Sequence, residues 1–311
     1  MKLKILIAVY NDWSSLDILL GEIYKKLNQT VWKNYEVYIV NDASTIEIPE
    51  KNKRKIKVIN LFNNIGSQGA ISIGVKYIQK KIDDMTHLLI MDSDGEDKPE
   101  DIVRLLDECK INENKIVFAR RQKRRESILF RALHFTYKKI FKMLIGKDLD
   151  FGNFSCMTKA NLNKIVNINN LQTHYSASIL RSKIPFSKID CEKGFRIEGS
   201  SKLNFWKHFA HALMSLSVFV DLIAIKFFFI SLVGIALSII TALTIFIVKL
   251  YYPKILLGIA STILLSLAII TIVLFLISLF SLIIFLNNKN QNYSSSNKSI
   301  DHLIENVEDL S

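Results

Sequence analysis

The chain has 311 residues, is half hydrophobic, and carries 41 basic against 29 acidic side chains for a formal charge of +12. From residue 227 onward basic and acidic residues cancel, so residues 1–226 hold the whole excess, which suits anionic substrates and the anionic cytoplasmic leaflet of a membrane. With no zinc-ligand spacing and no RNA-binding aromatic motif, nucleic acid is not an expected partner.

Met1–Val9 is too short for a signal peptide and runs straight into Asn11 and Asp12. Leu3–Val9 reads as an apolar strand, and a helix starting at Asn11–Asp12 runs to about Leu27. Glu36–Val40 is a second strand, ending at Asn41-Asp42-Ala43-Ser44, and Ile56–Leu61 a third. Gly66–Ile82 reads as a helix entered through small residues. Leu88–Met91 is the fourth strand, Pro99–Cys109 its following helix, and Ile116–Ala119 the fifth strand. Strands alternating with helices imply an α/β fold, Rossmann-like, with a mostly parallel sheet covered on both faces. Cys109, Cys156 and Cys191 are isolated from one another and read as incidental thiols of a reducing compartment.

Arg125–Lys147 is a basic amphipathic helix, with Ile128, Leu129, Leu133, Ile140, Met143 and Leu144 near one face, as expected for a helix lying on a membrane surface. Lys202–Leu216 brings Phe205, Trp206 and Phe209 to the point where aromatic residues suit a headgroup layer. Phe227–Val248 and Ile255–Leu286 carry no charge, and each exceeds the ~20 apolar residues that cross a bilayer core. The link Lys249–Lys254 is too short for a domain, so the two spans form a hairpin with both termini on one side. The basic domain places that side in the cytoplasm. The expected division is 1–200 catalytic domain, 201–226 juxtamembrane segment, 227–286 two spans and 287–311 a polar, then acidic, tail that starts out disordered.

The chemistry concentrates in Leu89–Pro99. An apolar strand ends in Asp92-Ser93-Asp94, and Asp92, Asp94 and Glu96 then sit at alternate positions. On an extended backbone all three carboxylates face one side, where a hard divalent cation is their usual partner. The competing reading is a solvated turn ahead of the helix at Pro99. Asp12 and Asp42 also follow strands, and in a parallel sheet those ends share one edge. Asn63–Ala70 contains Gly66 and Gly69 and opens a helix, so it can approach a phosphate or sugar closely. It has neither a Walker pattern nor a Gly-x-Gly-x-x-Gly fingerprint, which disfavours a P-loop hydrolase and a dinucleotide-binding enzyme.

Taken in order, Ala8-Val9-Tyr10-Asn11-Asp12, Val40-Asn41-Asp42-Ala43-Ser44, Asn64-Ile65-Gly66, Asp92-Ser93-Asp94 through Glu100, and Arg196 through Gly199-Ser200-Ser201-Lys202 resemble the family 2 glycosyltransferases with a GT-A fold. The branch most similar is that of the polyprenyl-phosphate glycosyltransferases, such as dolichyl-phosphate mannose synthases and bacterial undecaprenyl-phosphate glucosyltransferases. The likeness spans roughly residues 3–210, and a two-span tail matches the bacterial membrane-anchored members. It implies a donor pocket lined by Ala8, Tyr10, Asp12, Asp42, Ser44, Gly66 and Ser93. It implies Mg²⁺ or Mn²⁺ held by Asp92 and Asp94, with Glu96 at a further ligand position that is often Gln. It implies catalytic roles for Asp92, Asp94, Arg121 and Arg196, and acceptor contacts from Arg124, Arg131, Ser201 and Lys202. Ala8 stands where the family usually has Pro, Asp12 where it has Glu, and Asn41 where it has Asp.

The implied reaction is inverting transfer of a sugar from a nucleotide diphosphate sugar to a polyprenyl phosphate at the cytoplasmic face, a cell-envelope step. The acceptor phosphate is already anionic, which fits the lack of an obvious catalytic histidine. Two alternatives stand beside it. One uses a hydroxyl acceptor on a lipid-linked or cell-surface glycan, with Asp97 as the nameable base. The other is a degenerate, membrane-anchored binding protein. A homo-oligomer is compatible with each.

Overall fold

Apolar runs that are buried on both sides form the centre of the sheet in a computed structural model that describes residues 2–49, 56–121, 128–194, 196–197, 205–252, 258–295 and 300–310. These runs are β1 (Lys2–Val9), β2 (Asn34–Asn41), β3 (Ile56–Leu61) and β4 (Thr86–Asp92). All four are parallel, in the order β4-β1-β2-β3. Leu3, Ile5, Ile7 and Val9 face α1 (Trp13–Leu27) and α3 (Pro99–Ile111), while α2 (Gly66–Gln79) packs on the other face. Strands buried on both faces carry near-continuous apolar sequence, which is why these four are legible.

Beyond β4 the sheet changes direction. The strand β6 (Ser155–Thr158) lies antiparallel between β4 and β5 (Ile116–Arg121), and β5 pairs in parallel with β7 (Phe186–Cys191). The helices α5 (Lys159–Ile165) and α6 (Tyr175–Ser182) fill the connection. The sheet is thus mixed, of GT-A type. Two further helices belong to this unit, α4 (Ile128–Ile145) and α7 (Phe205–Ser217). The Tyr137 hydroxyl of α4 hydrogen-bonds Ser215 of α7, and Phe141 is buried. Leu133, Phe135, Ile140 and Met143 of α4 are exposed, as are Trp206, Phe209 and Leu213 of α7.

The start of the tail departs from expectation, because the chain stays helical past residue 286 as far as Ser295. The end of the tail joins the sheet: Ile304–Leu310 form β8, antiparallel to β3, as the edge strand of an eight-stranded sheet. Two of its acidic side chains meet bases, with Asp309 in register with Lys57 and Asp301 3.6 Å from Lys80.

A second unit comprises α8 (Val220–Tyr251) and α9 (Gly258–Ser295), which pack on each other through Phe228 and Phe275, ring centroids 5.1 Å apart. Val220–Tyr251 and Ser261–Asn287 reach mean hydropathies of 2.5 and 3.1, and both are long and apolar enough to cross a membrane. Most of their large apolar side chains point outward, unlike those of a helix in a soluble core.

Candidate active site

The sheet brings the candidate residues together at the carboxyl ends of β1, β2 and β4. Ala8 is in register with both Val40 and Asp92, which levels the ends of the three strands. Tyr10 follows β1 and is 44% exposed. Asn11 next to it takes a left-handed φ of 55°, and its side-chain oxygen accepts the Thr45 and Ile46 N–H groups at 2.8 and 3.1 Å. The Ser44 hydroxyl accepts the Asn11 N–H at 3.0 Å. The loops after β1 and β2 are therefore stitched to each other, and Ser44 serves that seam.

Asp42 is buried and shapes a loop. Its carboxylate accepts the Ile65 and Gly66 N–H groups at 2.8 and 2.9 Å, at the entrance to α2. Burial raises its pKa, and those two backbone donors offset part of the rise. Gly66 is required by its φ of +80° and not by lack of space, because a Cβ there would meet no neighbour.

The carboxylate loop after β4 does not stay extended. Gly95 turns the chain at φ +81°, and Asp94 Oδ1 accepts the Glu96 N–H at 3.0 Å. Alternate positions then no longer share a side, and this corrects the expectation for Glu96. Its carboxylate turns to Arg121 and Lys193, each 3.0 Å away. Asp97 is buried; it accepts the Asp92 N–H at 3.0 Å and pairs with Arg121 at 2.7 Å. Burial opposes the charge on Arg121, but Asp97, Asp92 and Glu96 raise its pKa above the ordinary value.

Asp92 and Asp94 remain facing the site, with Ser93 buried between them. Burial pushes Asp92 up to about 7, helped by Asp97 and Asp94 and opposed by Arg121 and a 3.2 Å hydrogen bond from Asn153. Asp94 is raised too, first by burial. Arg196 bridges two strand ends: one guanidinium nitrogen lies 2.9 Å from Asp12 and another 3.6 Å from Asp94. The Arg196 segment is seated on the carboxylate loop by backbone bonds from Gly194 N to Glu96 O, 2.9 Å, and from Ile197 N to Asp94 O, 3.0 Å.

Among the described residues no group of three or more His, Cys, Asp or Glu side chains is arranged to hold a metal ion. Two carboxylates whose charge burial opposes still call for a positive partner, and Mg²⁺-type sites commonly use one or two carboxylates plus substrate phosphates. The residues therefore fit a divalent cation shared with a diphosphate.

Sequence reasoning missed Asn153, which also accepts from Gln68 at 3.2 Å, and Lys193. Asn153 lies far from the motifs in sequence, and only the pairing of β6 beside β4 could reveal it, whereas Lys193 stands three residues before Arg196. Arg124, Ser201 and Lys202 lie outside the described residues, as does the side chain of Arg131 on α4.

A mixed sheet with acidic side chains gathered at its parallel strand ends defines a glycosyltransferase fold of GT-A type. Residues 4–168 match glycosyl transferase family 2, and the chain belongs to that family. It is 28% identical over 229 residues to the uncharacterized glycosyltransferase sll0501 of Synechocystis, covering 68% of each chain. It is also 28% identical over 170 residues to the uncharacterized glycosyltransferase YkcC of Bacillus subtilis, covering 50% of this chain and 49% of that one. Among solved structures, glucosyl-3-phosphoglycerate synthase from Mycobacterium tuberculosis, in complex with Mn²⁺, UDP-glucose and phosphoglyceric acid, superposes with a TM-score of 0.53 at 8% identity. That match covers 71% of this chain and 79% of the other. Mannosyl-3-phosphoglycerate synthase from Rubrobacter xylanophilus gives 0.51 at 12% identity over 70% and 72%. At such identities the likeness is one of fold.

Proposed function

We propose that the protein transfers a sugar, with inversion, from a nucleotide diphosphate sugar to a polyprenyl phosphate at the cytoplasmic face of a membrane. One observation carries the choice of acceptor. Asp97, the base that the sequence offers for a hydroxyl acceptor, is buried and fully engaged by Arg121 and the Asp92 N–H. A hydroxyl acceptor would need such a base, whereas a phosphate monoester arrives as an anion.

In this reading the donor lies against Tyr10, Asp12 and the loops after β1 and β2. Asp92 and Asp94 face its diphosphate, and a bound Mg²⁺ or Mn²⁺ would supply charge neutralisation for the leaving group. Arg196 sits between Asp12 and Asp94, within reach of both donor and acceptor phosphates, and its planar fork suits bidentate contact. Arg121 holds Glu96 and Asp97 in place beneath the loop. A single in-line displacement inverts the anomeric carbon.

The membrane assignment is supported by two long apolar helices and by the exposed apolar side chains of α4 and α7. It is also supported by chain order. β8 follows α9 yet pairs with β3, so a membrane crossed by α8 is recrossed by α9 and both termini share the basic, cytoplasmic side.

The test uses full-length protein in nanodiscs with labelled nucleotide sugars and undecaprenyl phosphate. A product cleaved by mild acid is expected. Undecaprenol serving as well as its phosphate would overturn the acceptor and favour a hydroxyl-acceptor enzyme. Arg196→Ala should raise the KM for the lipid by ~10- to ~100-fold, the loss of a charged hydrogen bond, and that for the donor by less.

A further inference from the structure

Strands β2, β3 and β8 each carry an asparagine at the same level, Asn41 in register with Asn60 and Asn60 with Asn306. Their side chains form a row. Asn41 Nδ2 donates to Asn60 Oδ1 at 2.8 Å, and Asn60 Nδ2 donates to Asn306 Oδ1 at 2.5 Å and to Glu308 at 2.9 Å. At the other end Asn41 Oδ1 accepts the Ser44 N–H at 3.0 Å, and Ser44 Oγ accepts the Asn11 N–H at 3.0 Å. The row thus runs from the end of the chain to the loops after β1 and β2.

Those loops need support. Asn11 and Ala43 hold left-handed φ values of 55° and 53°, a region that favours glycine and persists elsewhere only where the surroundings impose it. Ser44 and Asn11 supply the bonds that fix both, and Asn41 fixes Ser44. The neutral Asn41 suits this role: an aspartate there could not donate to Asn60 Oδ1, and it would add negative charge to a row that ends at Glu308. The far end is anchored independently. The Phe62 N–H donates to Leu303 O at 3.3 Å, and Lys80 faces Asp301.

We propose that the C-terminal strand is a working part of the donor site. Asn306, acting through Asn60 and Asn41, holds the loops after β1 and β2 in the shape that receives the nucleotide. Asn60 and Asn306 are positioning residues and touch no substrate. The proposal rests on the reading that the donor binds against these loops.

The test is made on the full-length protein in nanodiscs. Asn60→Leu and Asn306→Leu each break the row, the double variant breaks it while setting an apolar cross-strand pair in its place, and Asn306→Gln keeps an amide. Binding of UDP, GDP, ADP, CDP and dTDP, each with Mn²⁺, is measured by calorimetry, and amide hydrogen exchange is followed by mass spectrometry. One nucleotide is expected to bind the parent chain. The leucine variants should bind it ~5- to ~20-fold more weakly, the factor for one or two lost hydrogen bonds, and Asn306→Gln should stay close to the parent. Residues 41–46 should exchange at least ~10-fold faster while β1 and β4 keep their protection. Unchanged nucleotide affinity in the leucine variants overturns the proposal and leaves the donor reading standing. Faster exchange throughout the sheet overturns it also, because β8 would then only stabilise the fold. If no nucleotide binds even the parent chain, the donor reading falls and takes the proposal with it.

Discussion

Asp94 is held in the free protein by a neighbouring backbone N–H and by Arg196, and burial makes its charge costly. A cation arriving with the donor diphosphate offsets that cost, so the residue's contribution belongs to the loaded site. Asp94→Asn should lower kcat by at least ~100-fold, the scale of Lewis-acid stabilisation of a leaving group. EDTA should abolish transfer by the parent enzyme, and Mn²⁺ or Mg²⁺ should restore it; full turnover in EDTA would remove the metal. At this scale the sequence tells where a residue stands: Asp12, Asp92 and Asp94 lie at the ends of strands, as their place after apolar runs implies. It does not tell which neighbours a side chain meets. Asp42 and Ser44 hold loops, and Glu96 turns away to Arg121 and Lys193, because Gly95 bends a backbone that alternation assumes to be straight.

The segment before the first apolar helix docks on the carboxylate loop by a close backbone approach. A Cβ on Gly194 would lie 2.5 Å from Gly95 O and 3.1 Å from Glu96 O, and backbone atoms cannot step aside as a flexible side chain can. Gly194→Ala should displace Arg196 from Asp12 and lower kcat/KM by ~10-fold or more with a small change in melting temperature; steady-state kinetics and calorimetry measure the two. A second element carries a pH signature. His174 caps α6 by accepting the Ala177 N–H at 3.3 Å, and burial, with His211 beside it, lowers its pKa from 6.5 to about 3. Between those values the unfolded chain binds a proton that the folded chain does not. Stability is therefore full above the unfolded value and falls as the pH drops through it. His87, lowered by burial against Trp32, acts with the same sign. Thermal unfolding followed from about pH 8 to about pH 5 should show this loss, and His174→Asn, which keeps an acceptor at the cap, should flatten it. An unchanged slope would assign the dependence elsewhere.

For the molecule as a whole, the return of β8 to β3 after two apolar helices makes a specific topology. Tags at either end should resist protease added outside intact cells and become sensitive when the cells are opened. External cleavage of either tag would break the two-span arrangement. The same return joins the two ends of the chain in one sheet, so a cut between α8 and α9 should leave the catalytic unit's eight strands assembled, as measured by far-UV circular dichroism.

Linear pattern was enough to define the parallel centre of the sheet, its helices, the two apolar spans and the acidic strand ends. Each of these is a local property: strands buried on both faces are continuously apolar, and an uncharged apolar run of such length matches the thickness of a bilayer core. Everything else waited on contacts between distant segments. β6 is four residues long, β7 is half-exposed at an edge, and β8 is charged, so none has an apolar signature. Their places come from partners far away in the chain: Asp309 meets Lys57, Asn306 meets Asn60, and β6 fits between β4 and β5. The same holds for the site. Carboxylates announce themselves in sequence, but which are turned to substrate and which are held by Arg121, Lys193 or a backbone N–H depends on contacts between loops that a linear pattern does not contain.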